Sequence, residues 1–80
     1  MYHTHYINLF IHHMNSKEII KILKNDGWQL VGTKGSHQQY KHPFKKGRVT
    51  VPHPHRDFSK GTLLSIFKQA AIDKKNINKT

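Results

Sequence analysis

Residues 28–42 run Trp28-Gln29-Leu30-Val31-Gly32-Thr33-Lys34-Gly35-Ser36-His37-Gln38-Gln39-Tyr40-Lys41-His42 and read as strand, turn, strand. Trp28 and Leu30 share one face by the period of two, with Val31 on the other, so a first strand is expected over Trp28–Gly32. Thr33-Lys34-Gly35-Ser36 supplies the turn. His37–His42 is the second strand, with Tyr40 as its apolar residue. Alternation groups His37, Gln39 and Lys41 on one side, opposite Gln38, Tyr40 and His42. If Tyr40 enters the core, His37 stands on the face open to solvent.

Working outward, Pro43-Phe44-Lys45-Lys46-Gly47 is a second tight, basic turn. Arg48-Val49-Thr50-Val51 is a β-branched third strand that the short loop pairs with the second. Upstream, Asn15-Ser16-Lys17-Glu18 has the form of a capping box, which satisfies amides that a helix start leaves orphaned. Ile19, Ile20, Ile22 and Leu23 follow at helical spacing with Lys17, Lys21 and Lys24 turned away, and Gly27 ends the helix. That helix is expected over Ser16–Asn25. Downstream, the two prolines of Pro52-His53-Pro54-His55-Arg56-Asp57-Phe58 remove ladder donors and make an extended loop. Ser59 caps a second helix over Lys60–Ile72, with Leu63, Leu64, Ile66, Phe67, Ala70 and Ala71 as its buried side. The order helix, three strands, helix predicts an α+β two-layer domain. Both helices are expected on one face of an antiparallel three-stranded sheet.

Eighty residues allow one small domain. Residues 14–72 are expected to form it, preceded by Met1–His13 and followed by a flexible basic tail over 73–80. Met1–His13 carries His3, His5, His12 and His13 and no acid. It reads either as a true extension or as the product of an upstream start, with Met14 opening the domain, and the second reading is preferred. The chain has no cysteine, so no disulfide framework or thiolate zinc site is expected, which suits a cytoplasmic setting. No stretch approaches the ~20 apolar residues of a spanning helix, so no membrane partner is expected.

Fourteen Lys and Arg against four Asp and Glu leave a formal charge of +10, which favours polyanionic partners. The four acids, Glu18, Asp26, Asp57 and Asp73, are scattered. A metal-dependent nuclease gathers several carboxylates around its ions, so neither a metal nor another cofactor is expected. Metal-free cleavage of RNA needs a group that moves protons near neutrality and cations that stabilise the phosphorane, roles for histidine and for Lys or Arg. His37 is the leading candidate, because Gly35 allows close approach of the backbone and Lys34 supplies local charge. Taken alone, the residues favour a solvated histidine at a strand edge. His53, held between Pro52 and Pro54, is a candidate second proton carrier or phosphate contact. His42, before Pro43, reads as structural and His55 as incidental. Lys41, Lys45, Lys46 and Arg48 surround the hairpin, while Arg56 and Lys60 mark the loop and the helix that follows. The Lys60, Gly61 and Thr62 amides form a candidate phosphate anchor.

Taken together, Met14-Asn15-Ser16-Lys17-Glu18, Asp26-Gly27-Trp28, Lys34-Gly35-Ser36-His37, Gly47-Arg48-Val49-Thr50-Val51-Pro52 and Lys60-Gly61-Thr62-Leu63 resemble the HicA family of toxins in order and spacing. The resemblance covers about Met14–Ala71. It implies an α-β-β-β-α fold like that of a double-stranded-RNA-binding domain. It also implies an mRNA interferase that arrests translation, with the histidine of the Gly-Ser-His motif, here His37, essential. A HicB-type antitoxin would be the protein partner, the toxin being a monomer alone and part of a hetero-oligomer with it. Lys34, Gly35 and Ser36 would shape and charge the site, and Arg48, Lys41, Lys46 and Lys60 would hold the RNA backbone. Met1–His13 matches nothing in the family. Gln38 stands where members often carry a second histidine, so no dyad is expected there. The rival reading is a non-catalytic RNA-binding module of the same fold.

Overall fold

In the computed structural model, residues 14–73 are described. The expected extension Met1–His13 and the tail beyond Asp73 lie outside them. Helix α1 (Ser16–Asn25) opens on the expected capping box: Glu18 N donates to Asn15 Oδ1 at 3.0 Å and Asn15 N to Glu18 Oε1 at 2.9 Å. Gly27, at φ +104°, then turns the chain into β1 (Gln29–Lys34). Strands β2 (His37–Lys41) and β3 (Val49–Pro52) complete an antiparallel sheet in the order β1-β2-β3. Helix α2 (Lys60–Gln69) closes the domain, with the Ser59 hydroxyl capping the Thr62 amide. The α+β architecture is the expected one.

The core is built from the helix stripes and one sheet face. Ile19, Ile22 and Leu23 of α1 and Leu63, Ile66 and Phe67 of α2 are buried with Tyr40, Val49 and Val51. Burying each such side chain is worth about 1.5–3 kcal/mol. Met14, Trp28 and Phe58 join them from outside the elements. Gln38 pairs with Val51 and Tyr40 with Val49, which puts Gln38 on the core face and leaves His37, Gln39 and Lys41 on the open face, as alternation predicted.

β1 departs from expectation. It runs to Lys34, so the turn shrinks to Gly35-Ser36. Leu30, which alternation groups with Trp28 on one face, is 47% exposed, whereas Trp28 is buried. Both helices contact β3, and β1 lies at the far edge of the sheet, beyond their cover. A bulge accompanies this: Leu30 pairs with Tyr40 and Gly32 with Gln39, leaving Val31 as the extra residue. The other boundaries move by less. β2 stops at Lys41 rather than His42, and β3 spans Val49–Pro52 rather than Arg48–Val51. Pro52 is tolerated as the last residue of a strand. α2 ends at Gln69, short of the expected Ile72, because Ala71 takes φ +53° and reverses the chain. Ala71 is therefore exposed, while Ile72 folds back into the core; Leu64, expected on the buried side of α2, is half-buried.

Candidate active site

Lys34 and His37 are register partners flanking Gly35-Ser36. Gly35 sits at φ +60° and Ser36 does not share a positive φ, the pattern of a type II′ hairpin turn with glycine in its first central position. The turn is tied down from the other side by His53 N, which donates to the Ser36 carbonyl at 2.6 Å. His37 thus leaves the sheet from a hairpin end held on both flanks, not from a free loop.

The open face around His37 meets α2 along a groove of about 490 Å³. His37, Arg48, Thr50 and Pro52 form its sheet side, and Gly61, Thr62, Ser65, Ile66 and Gln69 its helix side. Arg48 is steadied there by donating from a guanidinium nitrogen to Gln39 Oε1 at 2.5 Å, which leaves its remaining donors for a ligand. No carboxylate lines the groove.

The four histidines among the described residues separate by their partners. His42 Nδ1 accepts from the amides of Phe44 (3.0 Å) and Lys45 (3.1 Å), so its Nε2 carries the hydrogen and donates to the Asp26 carbonyl at 2.7 Å. The ring also lies edge-on to Trp28 at 5.2 Å. It is structural, as expected. His55 packs its ring against Phe58 at 4.2 Å. His53 is half-buried, with Nδ1 2.7 Å from Ser16 Oγ. The same oxygen accepts from His55 N at 2.9 Å, so Ser16 Oγ bonds both the His53 ring and the His55 amide, the direction of the ring bond following the His53 tautomer. His53 joins the start of α1 to the loop after β3 and is not among the groove's lining residues, which removes the observation that would make it a second proton carrier. Only the His37 ring has no internal partner among the described residues, and it faces the groove.

The expected cations also separate. Lys34 is beside His37 and Lys41 lies farther along the same strand face, both exposed. Lys46 and Lys60 are exposed but do not line the groove. Lys45 is structural: its ammonium donates to Asp26 Oδ2 (2.6 Å) and to the carbonyls of Ala70 (3.2 Å) and Ala71 (2.9 Å), joining the ends of both helices. The proposed anchor at α2 is reduced, since Ser59 Oγ already takes the Thr62 amide at 3.2 Å. Sequence reasoning missed Thr50, Ser65 and Gln69. The spacing of 62, 65 and 69 placed a polar stripe on one side of α2, but not which surface that side would meet.

A family model described as "HicA toxin of bacterial toxin-antitoxin" matches residues 16–72. The chain belongs to the HicA toxin family. A similar solved structure is the HicA3 and HicB3 toxin-antitoxin complex, at TM-score 0.67 and 38% identity over 75% of this chain and 97% of that one. A toxin-antitoxin complex from Streptococcus pneumoniae is similar at TM-score 0.62 and 33% identity, over 74% of this chain and 98% of that one. No curated protein matches. The HicA match spans all five elements, from the first residue of α1 to the buried Ile72 that follows α2. This member is thus a toxin of a toxin-antitoxin system, and among its described residues no helix is long and apolar enough to cross a membrane.

Proposed function

We propose that this HicA toxin is an endoribonuclease that cleaves mRNA, arrests translation and growth, and is neutralised by a HicB-type antitoxin. The observation that carries this reading is His37, an imidazole without an internal partner, facing a groove it shares with Arg48 and standing beside Lys34. Histidine exchanges protons near neutrality. With a ribose in the groove, His37 takes the 2′-hydroxyl proton as the 2′-oxygen attacks phosphorus, or acts as the acid that protonates the departing 5′-oxygen. Arg48 and Lys34 stabilise the negative charge that builds on the phosphorane. The products are a 2′,3′-cyclic phosphate and a 5′-hydroxyl. The reaction is metal-independent in this reading, because the carboxylates stand elsewhere. Glu18 closes the α1 capping box, and Asp26 binds Lys45 and the Trp28 indole.

Partner and substrate both follow the charge. An excess of ten positive charges suits RNA and an acidic protein surface alike. An antitoxin lying over the groove would exclude RNA from it.

The test is His37→Ala, assayed in EDTA for cleavage and separately for RNA binding. Cleavage falls by about 10²–10⁴-fold with binding retained. If the unaltered protein cuts RNA only when EDTA is left out, the metal-free mechanism is wrong; if it cuts under neither condition but binds RNA, the non-catalytic RNA-binding module is the correct reading.

A further inference from the structure

The α2 side of the groove has chemistry that proton transfer does not use. Gly61, Ser65 and Gln69 recur every four residues, with Thr62 beside them. They form a neutral polar stripe flanking the buried stripe of Leu63, Ile66, Phe67 and Ala70. Gly61 has nothing within 4 Å of where a Cβ would stand, so the groove stays open at its α2 end. Thr62 Oγ1 accepts from the Ser59 hydroxyl at 2.9 Å, which leaves its own hydrogen free to donate. Ser65 and Gln69 are exposed, and their side chains make no internal hydrogen bond among the described residues. A primary amide offers two donors and an acceptor in one plane, and a serine hydroxyl offers one donor and two acceptor sites. That inventory matches a nucleobase edge, whereas a phosphate presents acceptors only. The two sides of the groove therefore divide: cations and the imidazole on the sheet, mixed donor and acceptor groups on the helix.

We propose that Ser65 and Gln69 read the base of one unpaired ribonucleotide seated between the open sheet face and α2, making them specificity-determining residues. The inference rests on the ribonuclease reading for what happens next to that nucleotide, but not for the binding itself. A groove of about 490 Å³ lies within the roughly 300–1,000 Å³ range of small-ligand sites. A volume of that size suits a single nucleotide. Unpaired bases expose the Watson–Crick and Hoogsteen edges that glutamine and serine recognise, and a base-paired A-form helix hides them. The protein therefore selects single-stranded RNA, although the fold it resembles serves elsewhere to hold duplexes. The base sits against α2, and its ribose and phosphate face His37 and Arg48.

The experiment uses the full chain with His37→Ala, so that binding is read without cleavage. Affinities are measured by fluorescence anisotropy for short single-stranded RNAs that differ at one base, with a blunt RNA duplex as competitor. The base preference is about tenfold or more. Gln69→Ala and Ser65→Ala flatten it while the weakest-bound RNA keeps its affinity, and the duplex competes poorly. Gln69→Glu, which removes both amide donors and keeps the shape, changes which base is preferred. Circular dichroism of each variant checks the fold. Equal loss for every RNA, a preference unmoved by either alanine variant, no preference at all, or tight duplex binding would each overturn the proposal. A preference that tracks Gln69 in a protein whose unaltered form cuts no RNA leaves this inference standing and removes the ribonuclease reading.

Discussion

Lys34 and His37 face each other across the two-residue Gly35-Ser36 turn, and the bulge at Val31 is what sets Lys34 on the open face of the sheet with His37. Without the extra residue, Leu30, Gly32 and Lys34 would fall on one side by simple alternation, and that side is the core side, where Leu30 pairs with Tyr40. The bulge shifts Gly32 and Lys34 to the opposite side. The charge beside the proposed catalytic histidine therefore depends on one irregular residue in an edge strand.

Lys34 and Lys45 should separate in experiment. Lys34→Ala weakens binding to all RNAs alike and lowers the slope of log affinity against log salt by about 0.7. Lys45→Met leaves that slope unchanged, since its ammonium is committed to Asp26 and the end of α2. It instead lowers stability by about 1–2 kcal/mol, the scale of a half-exposed ion pair plus helix-end interactions. Salt titrations of binding and urea unfolding of both variants check this. A reduced slope for Lys45→Met would show the assignment to be wrong.

Gly27 and His42 should be coupled. A Cβ on Gly27 would stand 2.7 Å from His42 Nε2, and the backbone there is at φ +104°. Gly27→Ala is expected to cost about 1–2 kcal/mol for the backbone and a further roughly 0.5–1.5 kcal/mol for the displaced bond to Asp26. In a His42→Ala background the steric part vanishes. A double-mutant cycle by urea unfolding should then show the pair costing less than the sum by more than about 0.5 kcal/mol, and strict additivity would count against the contact.

Gly35 makes a cleaner case, because nothing lies within 4 Å of its Cβ position. Its substitution strains the backbone alone. Gly35→Ala should lower stability by about 1–2 kcal/mol, and a synthetic chain with D-alanine there should recover it. Equal stability of the L- and D-alanine forms would refute the turn geometry.

Tyr40 predicts behaviour at alkaline pH. Burial raises its pKa above the usual 10.0, and its hydroxyl donates to Gln38 Oε1 at 2.6 Å. Because the folded state holds the proton more tightly than the unfolded one, this group's stabilisation is complete below pH 10 and is lost as pH rises through the elevated value. Tyr40→Phe should be less stable by about 0.5–1.5 kcal/mol at neutral pH, and that deficit should shrink steadily above pH 10. Urea midpoints of both proteins between pH 7 and 11.5 measure it.

Much of the fold was legible in the residues themselves. The capping box at Asn15 and Glu18, the glycine after α1, the Ser59 cap and the β-branched Val49-Thr50-Val51 are short-range signals, and each produced the element it announced. The exposure of Leu30 was not legible, because a strand's own pattern says which residues share a face but not whether a helix covers it. Nor was the extent of α2, where a left-handed Ala71 overrides an apolar run that continues to Ile72. The site divided in the same way. His37 on the open face followed from the position of Tyr40, while the roles of Lys45 and His53 depended on partners that lie far away in the chain.

By itself, then, the sequence determined the element order, the side of β2 on which His37 emerges, the cationic excess and the family. These follow from periodicity, caps, turn glycines and charge, which act over a few residues or over the whole composition. The tertiary structure decided which histidine stays free and which cations are spent on the scaffold. It also decided that the polar stripe of α2 closes the groove opposite His37. Those outcomes depend on hydrogen-bond partners and on surfaces meeting across 16 to 39 residues of chain, and only a packed fold brings such residues together.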